Sequence, residues 1–420
     1  MAADRKKTGN IRPKRWIIGF FAVICVGLAG YMGISYYANP LGYFTNQQGL
    51  DHYFPNDYAR KIKAEYVYEH RDEIGGVVIG GSKTGVLNTS LLEKNTGLRY
   101  YNLYVNTGNF ADYLIFARFA VERIGVKELL LSISSFETGS YTRTDRGNNY
   151  KKPALIDGDP VEMAVEFLSY LVSDSGTVID AIREKPRNIK KADDLRTGER
   201  NKAKETRWAE ANHDKYKDKK VMFNFASRLR RLFNGSASER TPAIDDNLAA
   251  LREIREICDA NGVTLRCVIT PDFIGNHYTY EWEGYYTYLA RLVDIAGEVW
   301  DFSGYNKVNL NPYDFYDARH FTRSVSDLMI NTMFGKDSME GFGVKLTPDN
   351  IYTYLDERRD DLNALKEEFE RTGTVTLYGM DDASYVPWDR DDAWYMNYLD
   401  SLYDSEEFDE QGETEVSEDI

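Results

Sequence analysis

Cysteine and histidine are scarce in this chain, at three and five residues among 420. That leaves no Cys/His spacing suited to a zinc site, so no metal is expected, and no motif implies an organic cofactor. Cys25 falls inside an apolar run, Cys258 on an expected helix and Cys267 on the strand that follows it. The latter two have apolar neighbours, which favours buried free thiols over the single disulfide they could form. Positive charge is also short, with 52 basic against 67 acidic residues and a net charge of −15. Nucleic acid is therefore not an expected partner, because binding it rests on contacts to phosphates. No repeat of solenoid period is present.

The charge is unevenly spread. Six cations (Arg5, Lys6, Lys7, Arg12, Lys14 and Arg15) precede Trp16–Tyr37, a run of 22 residues without Asp, Glu, Lys or Arg. At ~1.5 Å per residue such a helix crosses a bilayer. The excess of bases ahead of it predicts a cytoplasmic N-terminus and an extracytoplasmic remainder, in the cell membrane. A cleaved signal peptide or a buried helix is the competing reading, and the length of the run favours a retained anchor. At the other end, residues 381–420 hold fifteen acids and one base, so residues 401–420 are expected to be a disordered acidic tail.

The expected organisation is a basic cytoplasmic tail over 1–15, an anchor over 16–37 and an extracytoplasmic domain over 38–345. A C-terminal extension over 346–400 then precedes the tail. Within the domain, Gly76–Gly80, Tyr100–Val105, Val126–Ser134, Val263–Ile269 and Glu298–Phe302 predict buried strands. Helical stripes separate several of them, such as Phe110, Leu114, Ala117, Val121 and Ile124 before Gly125. That alternation predicts βαβ units and a parallel sheet, with ligands bound beyond the carboxyl ends of the strands. Residues 137–240 interrupt the pattern as an insertion. Its Arg183–Lys220 portion holds fourteen bases and eight acids, read as a solvated excursion or as a contact for anionic polymer or lipid headgroups.

Ser82 ends the first strand, and Asp317-Ala-Arg-His320 is expected to open the last helix of the sheet domain. A serine hydroxyl becomes a nucleophile only beside a base, and that base needs an acceptor to fix its tautomer. Ser82, His320 and Asp317 match those three roles, although Ser82 as a helix cap and Asp317 as an N-terminal helix charge are simpler uses. Lys83 is expected to be exposed, with attraction of an anionic substrate as its alternative use. Asp272 belongs to the same rim, and His277 lies on the rim or on the open surface.

Gly80-Gly-Ser82, Asn106-Thr-Gly108, Trp300-Asp-Phe-Ser303 and Asp317-x-x-His320, in that order and behind an N-terminal anchor, resemble the SGNH (GDSL-like) hydrolase superfamily. Within it, the resemblance is to the bacterial, membrane-anchored branch that holds the D-alanyl transfer protein DltD and the alginate acetylation proteins. The resemblance spans about residues 60–345. It implies an α/β fold: a flavodoxin-like, three-layer α/β/α domain with a five-stranded parallel sheet, preceded by one transmembrane helix. It further implies catalysis by Ser82, His320 and Asp317, with the backbone N–H groups of Ser82 and Gly108 as the oxyanion hole. Acyl transfer or ester hydrolysis (acetyl, D-alanyl or similar) on a cell-envelope polysaccharide or teichoic-acid-like polymer would follow, with a multi-span membrane acyltransferase as partner. The chain departs from the superfamily after the third strand, where Ser132-Ile-Ser-Ser-Phe136 offers no asparagine. Ser134 or Ser135 is the substitute donor there. A non-catalytic assembly or carrier-binding subunit on the same fold is the alternative.

Overall fold

The computed structural model describes residues 13–39, 53–54, 59–106, 108–134, 152–172, 175–184, 193–202, 244–273, 282–316 and 320–372. The chain divides into two compact units, residues 1–66 with 144–195, and residues 67–143 with 196–420.

The first unit contains helix α1 (Pro13–Ala38), strand β1 (Tyr53–Phe54) and most of α2 (Ala59–Glu69). It also holds α5 (Ala154–Asp157), α6 (Pro160–Leu171), α7 (Ser175–Glu184) and strand β5 (Asp193–Asp194), which pairs antiparallel with β1. Helix α1 is long and apolar enough to cross a membrane, and its side chains from Lys14 to Gly30 are all exposed. In α2, Lys63 is buried against the equally buried Asp193 at 3.2 Å. Each charge makes burial of the other tolerable.

The second unit is built on a six-stranded sheet in the order β3-β2-β4-β6-β7-β8. Its strands are β2 (Gly76–Gly80), β3 (Tyr100–Asn102), β4 (Glu128–Ile133), β6 (Thr264–Ile269), β7 (Val299–Asp301) and β8 (Val344–Leu346). β2, β3, β4, β6 and β7 run parallel, and they coincide with the five runs expected from hydrophobicity. The expected count of five all-parallel strands is exceeded: β8, from the stretch after Gly341, adds antiparallel to the free edge of β7. Three residues at a sheet edge carry too short a pattern to be recognised in sequence.

Helices α3 (Thr89–Thr96) and α4 (Phe110–Arg118) follow β2 and β3. α8 (Ile244–Ala260), α9 (Trp282–Ala296), α10 (Arg323–Met333) and α11 (Ile351–Thr372) come later. α4 is fixed by a capping box between Asn109 and Asp112 and runs on through a π turn, Phe119–Ile124, to Gly125 at φ 76°. α4 packs against α8, α8 against α9, and α9 against α11, while α3 meets α10. The buried thiols of Cys258 and Cys267 are both unpaired by disulfide.

Candidate active site

The chain passes from β2 to β3 on one side of β2, then returns to β4 on the other, so the order reverses between β2 and β4. Loops leaving the carboxyl ends of two such neighbours diverge and open a crevice. Ser82 lies at that point, as the first residue of a 3-10 turn, Ser82–Val86, with only Gly81 between it and β2. The turn folds tightly onto the sheet. A Cβ on Gly80 would lie 2.2 Å from Thr84 Oγ1 and 2.5 Å from the Ser132 carbonyl oxygen, so only glycine allows the approach. Thr84 Oγ1 donates to Ser132 Oγ at 2.9 Å on β4, and the buried Asn102 Nδ2 donates to the Thr84 carbonyl at 2.8 Å from β3. The serine-bearing turn is thus fastened to both neighbouring strands.

His320 reaches the same point from a closed loop. Phe315 and Phe321 form an antiparallel bridge, the Tyr316 N–H donates to the His320 carbonyl at 2.7 Å, and the Thr322 N–H donates to the Asp314 carbonyl at 2.9 Å. Phe315 and Phe321 are fully buried, and Phe273, just past β6, stands edge-on to Phe315 at 6.1 Å. Burying each ring is worth about 1.5–3 kcal/mol, which holds the loop's backbone in place. The expectation that the Asp-x-x-His segment opens a helix is corrected here. α10 starts at Arg323 with Thr322 as its N-cap, leaving His320 in the loop ahead of it. Asp317 lies outside the described residues, as do Ser135 and His277.

Across this crevice Ser82 Oγ and His320 Nε2 lie 2.9 Å apart, 238 positions apart in sequence. With the ring proton on Nδ1, the hydroxyl donates to Nε2, the arrangement in which an imidazole can take a serine proton. Both residues are only partly buried, so the pair is open to a ligand.

Gly108 borders the crevice at the start of α4: a Cβ on Gly81 would fall 4.0 Å from the Gly108 carbonyl oxygen and 3.2 Å from Tyr113 OH. The Gly108 N–H donates to the Val105 carbonyl at 3.2 Å. Ser134 follows β4 at the same rim. Lys83, expected to be exposed, is instead largely buried and ion-paired with the buried Asp272 beyond β6. The pair links the serine's own turn to the next loop of the rim.

One group of site residues was not recognised in sequence. Residues 196–202, the return from the insertion, run along the serine turn, where the Arg200 N–H donates to the Gly85 carbonyl at 2.7 Å. Arg200 lies over the Tyr104 ring and donates to Asn106 Oδ1, and Lys202 Nζ is 5.4 Å from the centre of the Tyr316 ring. Glu199 accepts from the Thr89 N–H (2.7 Å) and hydroxyl (2.6 Å) at the start of α3, and also from Arg323 at the start of α10. Asn88 donates to Asp327 Oδ1 at 2.7 Å and, through its N–H, to Ser326 Oγ at 3.0 Å. Two helices, one following Ser82 and one following His320, are therefore cross-linked on their first turns.

Asp314, in the His320 loop, has its carboxyl pushed up to about 6 by burial, with only partial relief from the Asn311 amide that donates to it. Among the described residues no group of three or more His, Cys, Asp or Glu is placed to hold a metal ion. No family model matches this chain, and no curated protein matches it.

Proposed function

We propose that this protein is an SGNH-type serine enzyme of the cell envelope, anchored by α1 with its sheet domain outside the cell, that transfers or hydrolyses an acyl group on a polysaccharide or teichoic-acid-like polymer. The single observation that carries the reading is the 2.9 Å approach of Ser82 Oγ to His320 Nε2 at the reversal of strand order. Supporting it, the five parallel strands run in the order 2-1-3-4-5 by appearance in this unit, which is the order of flavodoxin-like sheets.

In this reading the Ser82 hydroxyl passes its proton to His320 as its oxygen attacks an ester carbonyl. The tetrahedral oxyanion collapses to an acyl-serine, and the departing hydroxyl takes the proton back from His320. Water or a polymer hydroxyl then repeats the sequence in reverse. Asp317 would orient the imidazole, and the Ser82 N–H would be one oxyanion donor. Gly108 would be the second if its long bond to Val105 O is shared with the substrate oxygen. A multi-span membrane acyltransferase would suit such an anchored enzyme as its acyl source.

The test is labelling of the folded full-length protein by a fluorophosphonate. Wild type is expected to label and Ser82→Ala to remain blank. His320→Ala should slow labelling by about 10²–10⁴, the usual worth of a general base. Label that persists in Ser82→Ala excludes the assignment. A second reading, a non-catalytic carrier-binding subunit, is favoured by the missing asparagine after β4 and by the engaged Gly108 N–H. Folded wild type that never labels would decide for it.

A further inference from the structure

Helix α6 has an apolar face that the chain leaves open. Val161, Val165, Leu168 and Val172 recur at helical spacing and are 70%, 61%, 48% and 51% exposed. Glu162, Glu166 and Ser169 line an adjoining side of the helix, and the Glu166 carboxylate accepts the Ala154 N–H at 3.1 Å. Met163 and Phe167 are exposed too, and Leu171 alone of the helix is buried, so most of the apolar surface of α6 faces away from the chain, which a soluble surface helix avoids. α7 continues the pattern, with Ile179 and Ile182 exposed while Val178 is buried. A helix of 12 residues, about 18 Å long, is marginal in water without packing on its apolar side.

The position of α6 within its unit says what covers that face. α6 and α7 both pack against α1, and Ser35 Oγ of α1 donates to the Tyr170 carbonyl of α6 at 3.4 Å. Ser35 lies inside the uncharged run Trp16–Tyr37, about 3 Å of helix rise short of its end. If that run spans a bilayer, the end of α6 is at the boundary between acyl chains and headgroups. The stripe that continues from it then meets lipid. Arg183 lies in the last turn of α7, and Lys185, Arg187, Lys190 and Lys191 follow the helix in sequence, a composition that favours anionic headgroups.

We infer that α6 and α7 form an interfacial membrane element, bedded in the outer leaflet beside α1 through the Val161–Val172 stripe. This rests on the proposed reading of α1 as a retained anchor, and the experiment separates the two. The full-length protein is placed in phosphatidylcholine–phosphatidylglycerol vesicles carrying brominated acyl chains. A bimane label is attached in turn at native Cys25, at V165C and at E162C, the latter two in a Cys25→Ser background. Cys258 and Cys267 are buried and stay unlabelled in the folded protein.

The inference expects bromolipid to quench the label at position 165 several-fold more than that at 162, and aqueous iodide to show the opposite order. Quenching at Cys25 but by iodide alone at 165 would overturn the interfacial helix and leave the anchor standing. Protection at 165 from both quenchers would also overturn it, by showing that protein, a second copy included, covers the stripe. No bromolipid quenching at Cys25 would overturn the anchor itself, and the interfacial element with it.

Discussion

At the scale of single residues, the approach of Ser82 to His320 depends on groups outside the pair. Glu199 joins Thr89 to Arg323, so it sets the helix behind Ser82 against the helix behind His320. Arg323 is more than a third exposed, so the ion pair itself adds little to stability. Glu199→Gln is therefore expected to leave the unfolding midpoint nearly unchanged while lowering kcat on a simple ester by roughly ten-fold at constant KM, because small displacements of paired reactants are costly. An equal fall in thermal stability and activity would argue for a merely structural role.

Asp314 gives a pH dependence whose sign is fixed. Its folded-state value, about 6, lies above the ordinary Asp value of ~3.9, so it favours folding at low pH and that contribution is lost as pH rises between about 4 and 6. Asp314→Asn should remove that loss, on the order of 1–3 kcal/mol, and urea unfolding at pH 4 and 6.5 measures it. Ser82 and His320 were legible because a serine after a buried strand and an Asp-x-x-His are local patterns. Glu199 was not, because its partner Thr89 is 110 positions away and its own neighbourhood is merely mixed charge.

At the scale of elements, the close seating of the Ser82 turn on β4 has a direct test. Gly80→Ala drives a Cβ into Thr84 and the Ser132 backbone and should cost about 1–3 kcal/mol, read from denaturant midpoints. Five strands were legible because each centres on an apolar stretch that the sheet buries, fully in β2, β3 and β4 and over Cys267–Ile269 in β6, and the αL glycine Gly125 ended its helix where expected. The start of α10 was misplaced because Phe315 and Phe321 carry no local sign of the antiparallel bridge they form. Only their pairing across the chain reveals a loop.

At the scale of the whole molecule, the C-terminal portion of the described chain completes the second unit. Arg358 of α11 is buried against Asp301 at the end of β7, 2.9 Å away, and donates as well to Tyr285 OH (2.9 Å) and Ser303 Oγ (3.1 Å). Arg358→Met would strand the Asp301 carboxylate inside the fold, for an expected loss of about 3–5 kcal/mol in unfolding experiments. A stretch that looked like an appendage in sequence is thus fastened into the sheet's edge by a charge pair that no local pattern announces.

The order of the parts along the chain also has a temporal meaning. Protein is made and exported from its N-terminus, so a nascent chain displays Ser82 long before the residues around position 320 exist to activate it. In the proposed chemistry the growing polypeptide is consequently inert. Its hydroxyl is switched on only when the 238 positions separating it from His320 have been made and the late loop packs against the early strand, which spares half-made molecules from acylating whatever they meet during translocation.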